Sequence, residues 1–313
     1  MMNAKRWDGE SMKFAFAYRK NNSGQWYDGM DTLATSQINT RIRLSFEPRW
    51  FSQSVVLSGT DLDVNNTRAG VIKLLTAEME WAQQSMADTI GTAFYTLQTG
   101  KQPLSVLDIT DDGTDVTSYG GASRTTYTGL NGQRNSTTTL TVSNLATLYD
   151  DCAAGTLKPT LGVAGESVWS IYEGLLQPSV VMNINATGYA QSTYDGVVAS
   201  KSALGGDIGF DSLYFRGMPV ARDEKATTQR FFMFNEPTIA WYSLPSSKWN
   251  EVSLGSSVIE GVYSKGPSTS FKFYWSGLRE PVAQDAEVGF FKIGGQLISP
   301  NPRLQGELTG ITG

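Results

Sequence analysis

Four carboxylates, Asp108, Asp111, Asp112 and Asp115, surround Gly113 in an arrangement that invites calcium chemistry. A calcium loop built on that glycine needs Asp or Asn where Thr110 stands and a closing bidentate Glu where Tyr119 stands, so the stretch reads as a polar turn. Nucleophilic chemistry fares no better. The chain has 0 histidines, which removes Ser-His-Asp and Cys-His pairs, His-ligated zinc and the usual general base near neutral pH. In "GESVW" (Gly165–Trp169) a tryptophan stands where a nucleophile elbow wants glycine, and nothing can activate Ser167. "GGDIGFD" (Gly205–Asp211) lacks the spacing of a dinucleotide loop and reads as a turn before a strand. Asp150 and Asp151 are neighbours in sequence only. Paired carboxylates of the glycosidase kind come together only in a fold, and the 30 acidic residues leave that chemistry open. The single cysteine, Cys152, allows neither an internal disulfide nor a cysteine-cluster metal site. The expectation is a non-enzymatic protein with no cofactor and no metal.

The elements around these residues point to contact rather than catalysis. "INTRIRLSFEPRWF" (Ile38–Phe51) alternates: Ile38, Ile42, Leu44 and Phe46 on one side, Arg41, Arg43, Ser45 and Glu47 on the other. "KFAFAYRK" offers a partner strand through Phe14, Phe16 and Tyr18, and the intervening "NNSGQWYDGM" is too long for a tight hairpin turn. The pattern is a projecting ribbon over about 13–60, with Trp26 and Tyr27 at its tip. A greasy face on a projecting ribbon has to lie on something. Sequence spacing therefore nominates Trp26, Tyr27, Arg41, Ile42, Arg43, Leu44, Phe46, Arg49 and Trp50 as contacts between subunits.

A long helix follows. Ile72, Leu75, Met79, Ala82, Met86, Ile90, Ala93 and Leu97 recur at three- and four-residue steps, with Asn66 or Thr67 as N-cap, and place the helix at about 67–98. A shorter helix carries Leu145, Leu148, Tyr149 and Cys152. "LGVAG", "SLYFRGMPVARDE", "RFFMFNEPTIAWYSL", "SFKFYWSG" and "VGFFKIGGQLI" read as strands, giving an α+β chain.

Of 313 residues, 40% are hydrophobic and only 18% charged, enough to bury a large core and little enough charge to favour contact surface. The first 60 residues carry eight Lys/Arg against five acids, although the whole chain has a formal net charge of -5. A basic arm on an acidic body suits attraction between copies. No Lys/Arg cluster forms a phosphate-tracking stripe, so contact with DNA is expected to be loose and non-specific. The sequence has no apolar run of membrane-spanning length and no leader pattern, so neither membrane association nor export is expected.

The order of parts resembles the major capsid proteins of tailed bacteriophages, the Hong Kong ninety-seven capsid fold also used by encapsulin shells. The local matches are "GQWYDG" (Gly24–Gly29), "SYGG" (Ser118–Gly121) followed by Arg124, "YFRGMPVARDE" (Tyr214–Glu224), "FFMFNEPTIAWY" (Phe231–Tyr242) and "GGQLISPNPRLQGELTGI" near the end. The resemblance implies an N-terminal arm (1–12), an extended β-ribbon or E loop (13–60), a peripheral (P) domain (61–135) with a spine helix at about 67–98, an axial (A) domain (136–250) and a return to the P domain (251–313). It implies a shell of hexamers and pentamers enclosing double-stranded DNA, located in the virion capsid and assembled in the host cytoplasm. Portal and scaffolding or decoration proteins are further partners it admits. By the same resemblance the ribbon's greasy face lies on the neighbouring subunit. Read from Met1 as its start, the chain has no long segment before the arm, so a separate scaffolding protein or none is expected. No residue here matches the Lys, Asn and Glu trio by which some members cross-link. An encapsulin-like nanocompartment is the nearest alternative, and a sheet-rich carbohydrate-active enzyme or binding module a remote one.

Overall fold

The computed structural model describes residues 3–7, 9–19, 21–33, 38–65, 67–175, 212–244, 250–252, 273–282 and 284–312. "GGDIGFD" lies outside them, as does much of the span assigned to the A domain. In chain order the strands are β1 (Asn3–Arg6), β2 (Met12–Ala17), β3 (Arg41–Phe46), β4 (Arg49–Ser58), β5 (Ser118–Tyr119), β6 (Ala122–Ser123), β7 (Gln133–Ser136), β8 (Leu161–Ala164), β9 (Ser212–Phe215), β10 (Met218–Arg222), β11 (Phe231–Phe234), β12 (Ala240–Ser243), β13 (Asn250–Val252), β14 (Phe273–Trp275), β15 (Ala286–Ile298) and β16 (Gly306–Thr309). The helices are α1 (Gly59–Val64), α2 (Arg68–Phe94), α3 (Val106–Thr110), α4 (Val142–Asp151) and α5 (166–175). The chain divides into two compact units.

The first unit comprises Met1–Met12, Glu47–Leu107 and Ile239–Ile298. Its axis is β15. Strand β4 pairs antiparallel with it from Arg49 opposite Gly295 to Ser58 opposite Ala286. Strands β14 and β12 pair with β15 through Lys292 and Gln296, and β1 adds parallel to β12. Period-2 alternation puts Val55 and Leu57 in the core and leaves Trp50 and Val56 exposed. The last stretch of the span assigned to the ribbon (13–60) is β4, a full partner of the long strand β15. In the span assigned to the arm (1–12), β1 is a sheet strand and Trp7 is buried. Each of these strands is hydrogen-bonded along one edge, β4 to β15 and β1 to β12.

Helix α2 has 27 residues, about 40 Å at 1.5 Å each. Thr67 caps it by accepting a bond from the Gly70 N–H. It stops four residues short of the expected end. Past Phe94, which meets Trp241 edge-on, the Gln102 side chain accepts from the Thr99 N–H, and local polar bonds replace the helical ladder. Only Met79, Ala82 and Met86 are fully buried along the helix, while Trp81 is 65% exposed. The rest of the helix surface is divided between half-buried and exposed positions.

The second unit comprises Lys13–Phe46, Asp108–Thr238 and Ser299–Gly313. Its sheet runs β7-β16-β11-β8-β10-β9. The expected helical spacing is met in α4, where Leu145, Leu148 and Tyr149 enter a core with Val168, Tyr172, Phe231 and Met233. Cys152 is buried beside them, and burial pushes its thiol pKa up. "YFRGMPVARDE" is a hairpin, β9 to β10, because Arg216 and Gly217 both adopt positive φ (48° and 82°), the geometry of a tight two-residue turn. In "GESVW", Val168 and Trp169 fill the core while Ser167 faces out on the first turn of α5. The run "RFFMFNEPTIAWYSL" divides between the units at Thr238. Likewise Asp108–Asn135 and Ser299–Gly313, expected in the P domain, belong to this unit.

Candidate functional site

The ribbon is where sequence and structure both concentrate unusual surface. Strands β2 and β3 form a two-stranded sheet of their own. Its root is clamped to its own unit. Phe46 meets Phe14 at 6.0 Å and Tyr119 at 5.2 Å, both edge-on, and Tyr18 meets Tyr127 at 5.0 Å. Leu44 is 0% exposed and Phe46 3%. Both were nominated from sequence as contacts with a neighbouring subunit; within the chain the greasy face at the root is covered by its own "SYGG" hairpin.

The hairpin is suited to this. Gly120, at φ +57°, turns β5 into β6, and its carbonyl accepts from the Ser45 N–H at 2.9 Å. A Cβ there would stand 2.9 Å from both Leu44 and Phe46, so only glycine permits the close approach. Tyr119 anchors the hairpin from the other side: its hydroxyl donates to the Ser299 carbonyl and accepts from the Ser299 N–H. The Arg124 guanidinium lies 5.3 Å from the Tyr119 ring centre.

Arg124 opens a charge network. It is fully buried, pairs with Asp111 at 3.2 Å and donates to the Asp108 carbonyl at 2.6 Å. Burial lowers its pKa, and Asp111 is the main opposing influence. Asp111 also accepts from Arg134 and from the N–H groups of Gly113, Asp115 and Val116. Arg134 continues to Asp115 and to Glu307, which Arg230 meets at 2.8 Å. Burial raises the carboxyl pKa of Glu307, against the pull of Arg230 and Arg134. Three arginines thus balance three carboxylates, and the oxygens of Asp111 are committed to five donors. The aspartate-rich turn is an arginine anchor, and no group of three or more potential ligands placed to hold a metal occurs among the described residues.

The tip differs. Between Asn21 and Leu33 the chain has no regular strand, only a turn in which the Asp31 N–H donates to the Asp28 carbonyl and the Asp28 N–H to the Asp31 carboxylate. Trp26 and Met30 are fully exposed, and Tyr27 and Leu33 more than half so. Four large apolar side chains thus stand exposed at one loop end, an arrangement costly in water. Met30 and Leu33 were not singled out from sequence, although "WYDGMDTL" places apolar residues on both sides of the turn. Arg41 and Arg43 lie on the exposed side of β3, with Ile42 half-buried. Arg49 and Trp50 open β4 in the first unit, beside a cavity of about 270 Å³.

A comparison with protein-family models and with curated proteins finds no match in sequence. Solved structures do match. The chain is similar to the capsid protein in the asymmetric unit of cyanophage A-1(L), with a TM-score of 0.65 at 11% identity over 99% of this chain and 91% of that one. It is similar to the capsid chain of Myoviridae phage XM1, with a TM-score of 0.53 at 13% identity over 97% and 86%. It is also similar to the SrpI encapsulin of Synechococcus elongatus PCC 7942, with a TM-score of 0.56 at 8% identity over 99% and 85%. The protein has the Hong Kong ninety-seven capsid fold, in the α+β form expected of it. No helix among the described residues is long and apolar enough to cross a membrane.

Proposed function

We propose that this chain is the major capsid subunit of a tailed bacteriophage, self-assembling as hexamers and pentamers into an icosahedral shell around double-stranded DNA. The observation that carries the reading is the ribbon: rooted on its own body, it carries Trp26, Tyr27, Met30 and Leu33 into solvent, on a fold shared with phage capsid chains. Helix α2, with its outward Trp81, adds a second surface in want of a neighbour. The role is structural, and no catalytic residue is assigned. Contacts with DNA are expected to be sparse, since an acidic subunit neutralises few phosphates. Portal and scaffolding or decoration proteins would complete such a particle, assembled in the host cytoplasm and ending in the virion capsid. The likeness to an encapsulin supports a second reading, a nanocompartment shell. Particles purified from the native source and imaged by electron microscopy test both. Nuclease-protected DNA inside closed shells supports the capsid, a protein cargo supports the compartment, and a persistent monomer at high concentration sinks both.

A further inference from the structure

A glycine that follows Asp or Asn has no Cβ to shield the preceding side chain, so its backbone nitrogen can attack the Cγ of its neighbour. Asp-Gly or Asn-Gly with both residues described occurs at Asp28–Gly29, Asp112–Gly113 and Asn131–Gly132. The fold treats them differently. The Gly113 N–H donates to the Asp111 carboxylate at 2.8 Å, and the Asp112 carboxylate accepts from the Thr114 N–H at 3.1 Å. The Gly132 N–H donates to the Asp111 carbonyl, also at 2.8 Å, and a Cβ built at Gly132 would run into the Thr110 carbonyl. Both nitrogens must give up a hydrogen bond before they can react.

The ribbon tip imposes neither constraint. Asp28 and Gly29 are exposed, and a Cβ built at Gly29 would meet nothing within 4 Å. Among the described residues no acceptor meets the Gly29 N–H and no donor meets the Asp28 carboxylate. Only the flanks of the turn are held, by the Asp28 N–H donating to the Asp31 carboxylate at 3.0 Å and the Asp31 N–H donating to the Asp28 carbonyl at 2.9 Å. We propose that Asp28–Gly29 is a site of spontaneous modification, at which the aspartate isomerises to isoaspartate. The Gly29 nitrogen loses its proton and bonds to the Asp28 Cγ, and one carboxyl oxygen leaves as water, closing a succinimide ring. Water then adds at the main-chain carbonyl carbon and breaks its bond to the Gly29 nitrogen. The chain now runs through Cγ, and the former main-chain carbonyl becomes a free carboxylate. One water leaves and one enters, with nothing oxidised or reduced. The carbonyl that accepted from Asp31 is lost from the main chain, and the backbone between Trp26 and Met30 gains a methylene. This goes beyond the self-assembly reading and does not depend on it.

Full-length chain kept as free subunits and incubated at neutral pH in heavy-oxygen water tests this, because each passage through the imide leaves a solvent oxygen in the product. Digestion in ordinary water followed by electron-transfer fragmentation locates the label and separates isoaspartate from aspartate. Label and isoaspartate at Asp28 are expected to exceed those at Asp112 about tenfold or more, since a nitrogen held by a hydrogen bond reacts only from a locally opened state. Equal labelling of the two in the native chain overturns the proposal, as does an Asp28 that takes up no label. In denaturant the two aspartates should react alike. A difference of the same size there would assign the order to flanking sequence rather than to the fold, and overturns it too. Gly29→Ala, whose Cβ enters open space, should leave the unfolding midpoint unchanged and cut the label at Asp28 several-fold. Undiminished label in that variant would mean that the Gly29 nitrogen is not the attacking group, and the proposal would fall.

Discussion

The root and the tip of one ribbon follow opposite rules. At the root, Leu44 and Phe46 are buried against Tyr119 and the side-chain-free Gly120. At the tip, Trp26, Tyr27, Met30 and Leu33 stand in water. Both ends are apolar, so hydrophobicity alone does not distinguish a covered surface from an uncovered one. What distinguishes them is whether the same chain supplies a cover. The root has one because a glycine hairpin and a buried arginine hold a flat place for it. The tip has none within the described residues, and its apolar area is available to another molecule.

The largest effect is expected where the root's support is removed. Arg124→Met leaves Asp111 buried with one cation fewer, and losing one partner of a buried pair costs about 3 to 5 kcal/mol. Chemical denaturation of the isolated subunit should show that loss, and an unchanged midpoint would mean the network does not support the root. Phe46→Ala opens a cavity among Phe14 and Tyr119, also at about 3 to 5 kcal/mol, and Leu44→Ala costs about 2 to 5 kcal/mol. If either is neutral in the subunit and harmful only in assembly, the root belongs to an interface after all. Gly120→Ala is smaller but specific: it strains a left-handed backbone and pushes Leu44 and Phe46 apart, and should cost about 1 to 3 kcal/mol. Its signature is loss of ribbon protection in hydrogen exchange before global unfolding.

At the tip the sign of the comparison reverses. Trp26→Ala and Met30→Ser should leave subunit stability within about 0.5 kcal/mol, as surface changes do, while weakening assembly. A matching loss of subunit stability would make the tip part of the fold. The smallest subunit effect is expected from Arg41→Glu with Arg43→Glu on the exposed side of β3. Circular dichroism and the unfolding midpoint should be unchanged, and assembly should weaken in a salt-dependent way. Normal shells from that double variant would place both arginines in water.

Much of this was legible from local pattern. The 3.6-residue period put Met79, Ala82 and Met86 on one stripe of α2 and Leu145 and Leu148 in the core of the second unit, because helix geometry repeats within a few residues. The alternation in Ile42, Leu44 and Phe46 marked a strand with one apolar side for the same reason. The aspartate-rich turn was legible as a turn, since Thr110 and Tyr119 break the calcium pattern. Its use as the counterion of Arg124 was not, because 13 residues separate Arg124 from Asp111 and no local period links them.

By itself, then, the sequence determined the two main helices and the principal strands, which sides of them are apolar, and which chemistries lack their residues. Tertiary structure alone decided where each apolar side is spent. Leu44 and Trp26 look alike as apolar residues of one ribbon, and only the position of Gly120, 76 residues beyond Leu44, separates them. Burial is set by what lies across the gap, which is a non-local property. Period and propensity are local, and they stop at the side chain's own element.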